Sequence, residues 1–185
     1  MNGLTAEVGY VSLIKKGEEL CGDRVETVRF EDSTTLVLAD GLGSGVKANI
    51  LSTLTSKIIA TMMASGMPVE ECVRTVTRTL PICKVRKVAY STFTVMQVNH
   101  QDEMTLLQFD NPSVILLRGG VSIHYPQEEL VIDGKKVIKS VVKVKPNDIF
   151  LTMSDGALYA GVGKMYNYGW QRGNIIDYLV ARYEP

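Results

Sequence analysis

The segment Thr34 to Ala39, TTLVLA, is a short apolar and β-branched run that stops at Asp40-Gly41, the pattern of a buried strand closing in a turn. A glycine-rich loop, Gly41 to Gly45, follows. From Val46 to about Ser65 the apolar positions Leu51, Leu54, Ile58 and Met62 recur at three- and four-residue steps, which predicts an amphipathic helix with that stripe inward. Gly66-Met67-Pro68 breaks it, and Val69, Cys72, Val73, Val76 and Leu80 predict a second helix running to Pro81. The period then shifts from helical to alternating. Tyr90 to Val98 and Met104 to Phe109 read as paired strands across a polar turn. Ser113 to Leu117 and Val121 to Tyr125 flank Gly119-Gly120 as a hairpin, and Leu130 to Ile132 and Val137 to Ile138 flank Asp133-Gly134 likewise. Val141 to Val144 continues extended, Ile149 to Met153 forms a last apolar strand ending at Ser154-Asp155-Gly156, and Asn174 to Arg182 closes as a helix. Strands, a helix pair, several hairpins and a terminal helix favour an α+β layered fold over a doubly wound parallel sheet.

Composition narrows the function more than the fold. Among the 185 residues, 20 Lys plus Arg balance 20 Asp plus Glu, so no global field gathers nucleic acid or an anionic membrane. With 45% hydrophobic and 22% charged residues the chain is in the ordinary globular range and is read as one domain over residues 1–185. Cys21, Cys72 and Cys83 are widely spaced, with no CxxC pair and no clustered His, which fits a reduced chain without a zinc site. No signal sequence or run of about 18 apolar residues is present, so a cytoplasmic protein is expected. His100 and His124 read as ordinary surface or satisfied histidines, with nothing marking either as a base. Lys84, Arg86 and Lys87 read as a solvated loop.

Candidate chemistry lies in a coincidence. Two apolar strands far apart in sequence both end in Asp-Gly, at Asp40-Gly41 and Asp155-Gly156. If both strands end at one edge of the central sheets, their carboxylates converge, and hard oxygen ligands suit Mg²⁺ or Mn²⁺. A glycine after each Asp allows a sharp turn and leaves a carbonyl accessible. The plain alternative is that Asp-Gly is a common turn, as Asp133-Gly134 is expected to be.

Val37-Leu38-Ala39-Asp40-Gly41-Leu42-Gly43-Ser44-Gly45, followed by a helix, resembles the DGxGxG element of metal-dependent PPM (PP2C-like) protein phosphatases, specifically their SpoIIE-type branch. Leu151 to Gly156 resembles the later SDG or TDG element of that family. Cys21-Gly22-Asp23 and Phe109-Asp110-Asn111-Pro112-Ser113 fall where the branch carries a Gly-Asp segment and a Gly-His-Pro-Pro turn. The resemblance implies an αββα sandwich of two antiparallel sheets flanked by helices, with a binuclear Mn²⁺ or Mg²⁺ centre at one edge. It implies that Asp40 bridges the ions, the Gly41 carbonyl binds the first and Asp155 the second, with Asp23 acting through water; Arg24, next to Asp23, is a candidate phosphate contact by its position alone. No side chain serves as nucleophile; a metal-activated water hydrolyses phosphoserine or phosphothreonine. A bacterial signalling phosphoprotein, such as an anti-sigma-factor antagonist, is the implied partner. The helix pair is implied as a switch that organises the metal site. Family members usually continue into an acidic element with Asp-Asp or Asp-Asn. None follows the final helix before Pro185, so a C-terminally truncated domain with an incomplete second metal site is expected.

Two other readings remain. A catalytically degenerate phosphatase-fold binding or scaffolding module shares every upstream motif. Gly41 to Gly45 could instead cradle a nucleotide, although it lacks the third glycine of GxGxxG and the Lys-Ser or Lys-Thr of a P-loop.

Overall fold

The structure is a computed structural model that describes residues 4–79 and 91–184. Strands β1 (Asp23–Phe30) and β2 (Ser33–Gly41) form a hairpin, followed by helices α1 (Gly45–Ala64) and α2 (Val69–Thr79). Then come β3 (Ser91–Val98), β4 (Glu103–Phe109), β5 (Ile115–Arg118), β6 (Val121–Ile123), β7 (Glu128–Ile132), β8 (Lys135–Lys143) and β9 (Ile149–Leu151). The short helix α3 (Asp155–Leu158) and α4 (Arg172–Val180) follow. Six strands in the order β1-β2-β3-β4-β8-β7 make one sheet and β6-β5-β9 make the other, with antiparallel pairing throughout.

The period-two alternation of the strands sorts their side chains into three cores. Val37, Phe93, Val95 and Leu107 pack with Ile59 of α1 and Val73 and Val76 of α2. Their neighbours on the opposite face, Leu36, Met96 and Leu106, meet Val114 and Leu116 of the smaller sheet. Ile115 and Leu117, turned the other way from Leu116, pack with Met153 and Ile175. The layers are therefore helices, sheet, sheet, helices: the αββα sandwich of the sequence-based expectation.

Helix α1 is rotated from its expected orientation. Its buried positions are Gly45, Ala48, Ser52, Thr55, Ser56, Ile59, Ala60 and Met63. Leu54 is 49% exposed, while Ile58 and Met62 are only partly buried. Small residues allow the helix backbone to lie close on the sheet. The polar cost is met internally, because the Ser52, Thr55 and Ser56 hydroxyls donate to the carbonyls of Asn49, Leu51 and Thr53. At Gly41 the approach is closest: a Cβ would stand 2.0 Å from the Ala48 carbonyl oxygen.

Other boundaries moved less. The run Val137–Ile138 and the run that starts at Val141 belong to one strand, β8, which ends at Lys143, one residue short of Val144, and the last helix begins at Arg172 rather than Asn174. Strand β9 ends at Leu151, and Asp155 opens a helix rather than closing a strand. Asp133 and Gly134, at φ 50° and 76°, form the expected β7–β8 turn. The pairing of Tyr90, the end of the second helix at Leu80, and the Lys84, Arg86 and Lys87 cluster lie outside the described residues.

One ion pair fixes where β9 begins. Arg118, at the end of β5, donates from Nε and Nη2 to the two carboxylate oxygens of Asp148 at 2.7 and 2.6 Å, and Asp148 also accepts from the Lys145 amide. The Asp148 side chain is fully covered, and its partners hold the carboxyl below its usual range despite that burial. Asp148→Ala is expected to lower unfolding stability by about 2 kcal/mol, the order of lost charge-assisted hydrogen bonds. A denaturant titration checks this. A midpoint unchanged from the parent would show that β9 is held by packing alone.

Candidate functional site

Strand register gathers the first part of the site. Asp23 of β1 stands opposite Asp40 of β2, and Asp40 opposite Thr92 of β3. Directly opposed residues share a sheet face, and Asp40 shares the face of Leu36 and Leu38, which looks toward the smaller sheet. Asp155 reaches the same place from the other sheet, carried past the end of β9 by residues 152–154. The link between the sheets is direct, because Ser154 Oγ donates to Asp23 Oδ2 at 2.7 Å.

The two Asp-Gly segments therefore do converge, although only Asp40 lies on a strand while Asp155 opens α3. The strands that carry or lead to them belong to facing sheets, and the carboxylates meet across the seam. Partial burial, with Asp23 and Asp155 both acting directly on Asp40, pushes the Asp40 carboxyl up to about 7. Crowded carboxylates with no cation resist full ionisation. Among the described residues, no group of three His, Cys, Asp or Glu side chains already stands as a cage for an ion. The donor set nevertheless suits a hard divalent cation: carboxylate oxygens from three separate elements, with Asp40 destabilised by negative charge that such an ion would offset.

Gly41 lies beside this cluster, and its amide donates to the Gly22 carbonyl at 3.2 Å. Its lack of a side chain is required by the approach of Ala48, a packing reason that the strand-turn pattern did not reveal. Arg24 is not brought to the carboxylates. Adjacent strand residues face opposite ways, and its exposed guanidinium pairs with Glu26 Oε1 at 3.0 Å; the other oxygen of Glu26 accepts from Lys57 of α1 at 2.9 Å. His100 and His124 are exposed, and Cys72 is buried with its thiol pushed up to about 11, mainly by that burial.

Sequence reasoning missed two polar neighbours. Thr92 Oγ1 donates to Asn111 Oδ1 at 2.7 Å, and Asn111 Nδ2 donates to Thr94 Oγ1 at 3.2 Å. The row from Asp23 through Asp40 to Thr92 thus ends on the Asn111-Pro112-Ser113 turn. The alternating Thr residues of β3 were the available signal. The glycine loop shows why a nucleotide reading fails: Ser44 Oγ donates to the Glu18 carboxylate, which lies against Gly45 at the start of α1. A side-chain anion already occupies the helix N-terminus that a phosphate would need.

The family described as Stage II sporulation protein E (SpoIIE) matches residues 31–169, well over half of the chain. The chain belongs to the SpoIIE family. Solved structures agree with the SpoIIE fold. The RsbU and RsbW domains of a Mycobacterium tuberculosis protein match with a TM-score of 0.71 at 16% identity, over 91% of this chain and 48% of that one. The PP2C phosphatase domain of Bacillus subtilis SpoIIE, with a fragment of its regulatory domain, matches with a TM-score of 0.72 at 18% identity, over 92% of this chain and 55% of that one. RsbX in complex with magnesium matches with a TM-score of 0.63 at 22% identity, over 91% of this chain and 83% of that one. The chain spans about half the length of the first two solved chains. At these identities the likeness is one of fold. No curated protein sequence matches.

A raised carboxyl has a definite sign in stability. Because Asp40 titrates near 7 in the fold and at 3.8 ordinarily, its contribution is full below pH 3.8 and is lost as pH rises through about 7. Without metal, the parent is expected to lose thermal stability relative to Asp40→Asn across that window. Melting curves of both proteins from pH 4 to 8 check it, and parallel profiles would show that Asp40 is not crowded.

Proposed function

We propose that the chain is a metal-dependent protein phosphatase that hydrolyses phosphoserine or phosphothreonine in a bacterial signalling protein. The observation carrying this reading is the meeting of Asp40 with Asp23 and Asp155 at the seam of an αββα sandwich. Membership of the SpoIIE family supports the phosphatase class, and the RsbX structure with magnesium supports the choice of Mg²⁺ or Mn²⁺. In this reading Asp40, Asp155 and the Gly41 carbonyl would hold the ions, with Asp40 shared between them, Gly41 serving the first and Asp155 the second, and Asp23 would act through water.

When bound, such ions supply a water acidic enough to attack phosphorus near neutral pH and neutralise charge on the phosphoryl oxygens. The chain supplies the arrangement. The Ser154 hydroxyl holds Asp23 in place, the β1–β2 register holds Asp23 against Asp40, and the Asn111 amide fixes the Thr92 hydroxyl beside them. No protein nucleophile is required, in keeping with the exposed, unengaged positions of both histidines. Solved relatives that include RsbU with RsbW, and a stressosome component, support a phosphoprotein of a partner-switching system as substrate, such as an anti-sigma-factor antagonist. No described helix is long and apolar enough to cross a membrane, which agrees with a cytoplasmic setting.

A second reading, a phosphatase-fold binding module without turnover, is favoured by one observation: the carboxylates are gathered but do not form a ready cage. Phosphate release from a phosphoserine protein with and without Mn²⁺ separates the two. Turnover is expected only with the ion, and Asp40→Asn and Asp155→Asn are each expected to lower kcat/KM by on the order of 100-fold or more. Robust activity surviving both substitutions would overturn the metal assignment, while absent turnover with intact phosphoprotein binding would establish the module.

A further inference from the structure

Immediately after α3 the chain makes a closed excursion. The Gln171 amide donates to the Leu158 carbonyl at 3.1 Å, so the segment 159–170 leaves the end of α3 and returns to it. The excursion presents Tyr159, Val162, Met165, Tyr166 and Tyr168 to solvent, with Met165 80%, Tyr168 77% and Tyr159 62% exposed. Five large apolar side chains are thus exposed within ten residues, and Tyr and Met are enriched where proteins meet partners.

The loop is nonetheless built to hold one shape. The amides of Lys164, Met165 and Tyr166 all donate to the Gly161 carbonyl at 3.0 to 3.1 Å, and the Gly163 amide donates to the Tyr166 carbonyl at 3.0 Å. Gly161, Gly163 and Gly169 lie at φ 77°, 71° and 85°. A Cβ at Gly169 would stand 2.3 Å from the Leu158 carbonyl oxygen, so the returning strand of the loop lies directly on its own base. Such a closed surface loop offers its side chains with little ordering cost on binding.

Charge indicates the occupant. From Gly156 to Ile176 the sequence contains Lys164 and Arg172 and no Asp or Glu, in a chain whose charges balance overall. Arg172 is turned inward, its Nη2 donating to the Val114 carbonyl, which leaves Lys164 as the exposed cation among the tyrosines. Position is also suitable. Helix α3 has 4 residues, so the loop starts about 6 Å along the chain from Asp155. An extended peptide with its phosphorylated residue at the carboxylate seam would reach that distance in about two residues.

We propose that the 159–170 loop is a docking element for an acidic, phosphorylated segment of a protein substrate, with Tyr166, Tyr168 and Met165 contacting its backbone and apolar atoms and Lys164 its acidic residues. This rests on the phosphatase reading and adds how the protein substrate, as distinct from any phosphate ester, is held.

The single tryptophan, Trp170, stands at the end of the loop with its ring edge-on to Tyr178 at 5.3 Å, so its emission reports occupancy without any turnover. The full chain would be titrated with a non-hydrolysable phosphonate analogue of a phosphoserine peptide flanked by Asp and Glu. Hydrolysis of p-nitrophenyl phosphate with Mn²⁺ would be measured in parallel. The double variant Met165→Ser/Tyr168→Ser removes the two most exposed side chains of the loop, and Lys164→Glu reverses its charge. Each is expected to weaken peptide binding by about tenfold or more, while small-substrate kcat/KM stays within about twofold and melting temperature is unchanged. Peptide affinity within twofold of the parent in both variants would overturn the proposal. So would an equal loss on both substrates, or equal affinity for the same peptide without phosphate and acidic residues. A change confined to self-association or to binding of anionic vesicles would also overturn it. If the parent binds the peptide through the loop but hydrolyses neither substrate, docking stands and the phosphatase reading fails.

Discussion

The burial of Asp40 beside the carboxylates of Asp23 and Asp155 is the constraint around which the rest of the molecule is organised. Three carboxylates placed together at a half-buried seam oppose folding, and Asp40 shows this in a carboxyl that keeps its proton to about pH 7. The scaffold overcomes the repulsion from several sides. Eight paired positions along β1 and β2 hold Asp23 opposite Asp40, and the Arg118–Asp148 pair sets the start of the strand that leads to Asp155. The Ser154 hydroxyl joins the two sheets at the point of conflict. Structural effort spent on an unfavourable electrostatic arrangement is characteristic of a site that receives a cation.

The layering serves the same end. Alternation in β2 sends Val37 and Ala39 into the core beneath α1 and leaves Leu36, Leu38 and Asp40 looking at the second sheet. A single strand thereby anchors one core and presents the site at the edge of another. Gly41 and Ala48 let α1 lie close against the strand end, and Asn111 ties the turn after β4 to Thr92. Solved relatives below 25% identity keep this architecture. What it requires of a sequence is the pattern of apolar faces and a few fixed polar positions.

Those features determine what was legible beforehand. Apolar alternation marked most strands, and the two Asp-Gly turns marked Asp40 and Asp155, because both depend on local sequence. Strand β1 escaped notice: its edge position mixes charge into DRVETVRF, and its turn uses Glu31 at φ 49° where a glycine would have signalled it. The inward face of α1 was misread because it is lined by Ser52, Thr55 and Ser56, whose hydroxyls are satisfied within the helix, while Val46, Ile50 and Leu54 remain exposed. Arg24 was misplaced since adjacency in sequence means opposite faces on a strand. The meeting of Asp155 with Asp40 depends on how two sheets face one another, which no local pattern encodes.

Proton release on metal binding tests the central claim most directly. Mn²⁺ should be titrated into the chain by calorimetry at pH 7 in buffers of different ionisation enthalpy. If the carboxylate seam is the cation site, binding displaces the proton retained by Asp40, so about half a proton should be released per binding event near its titration point. The release should disappear in Asp40→Asn. Binding with no buffer dependence, or binding that Asp40→Asn leaves intact, would contradict the account.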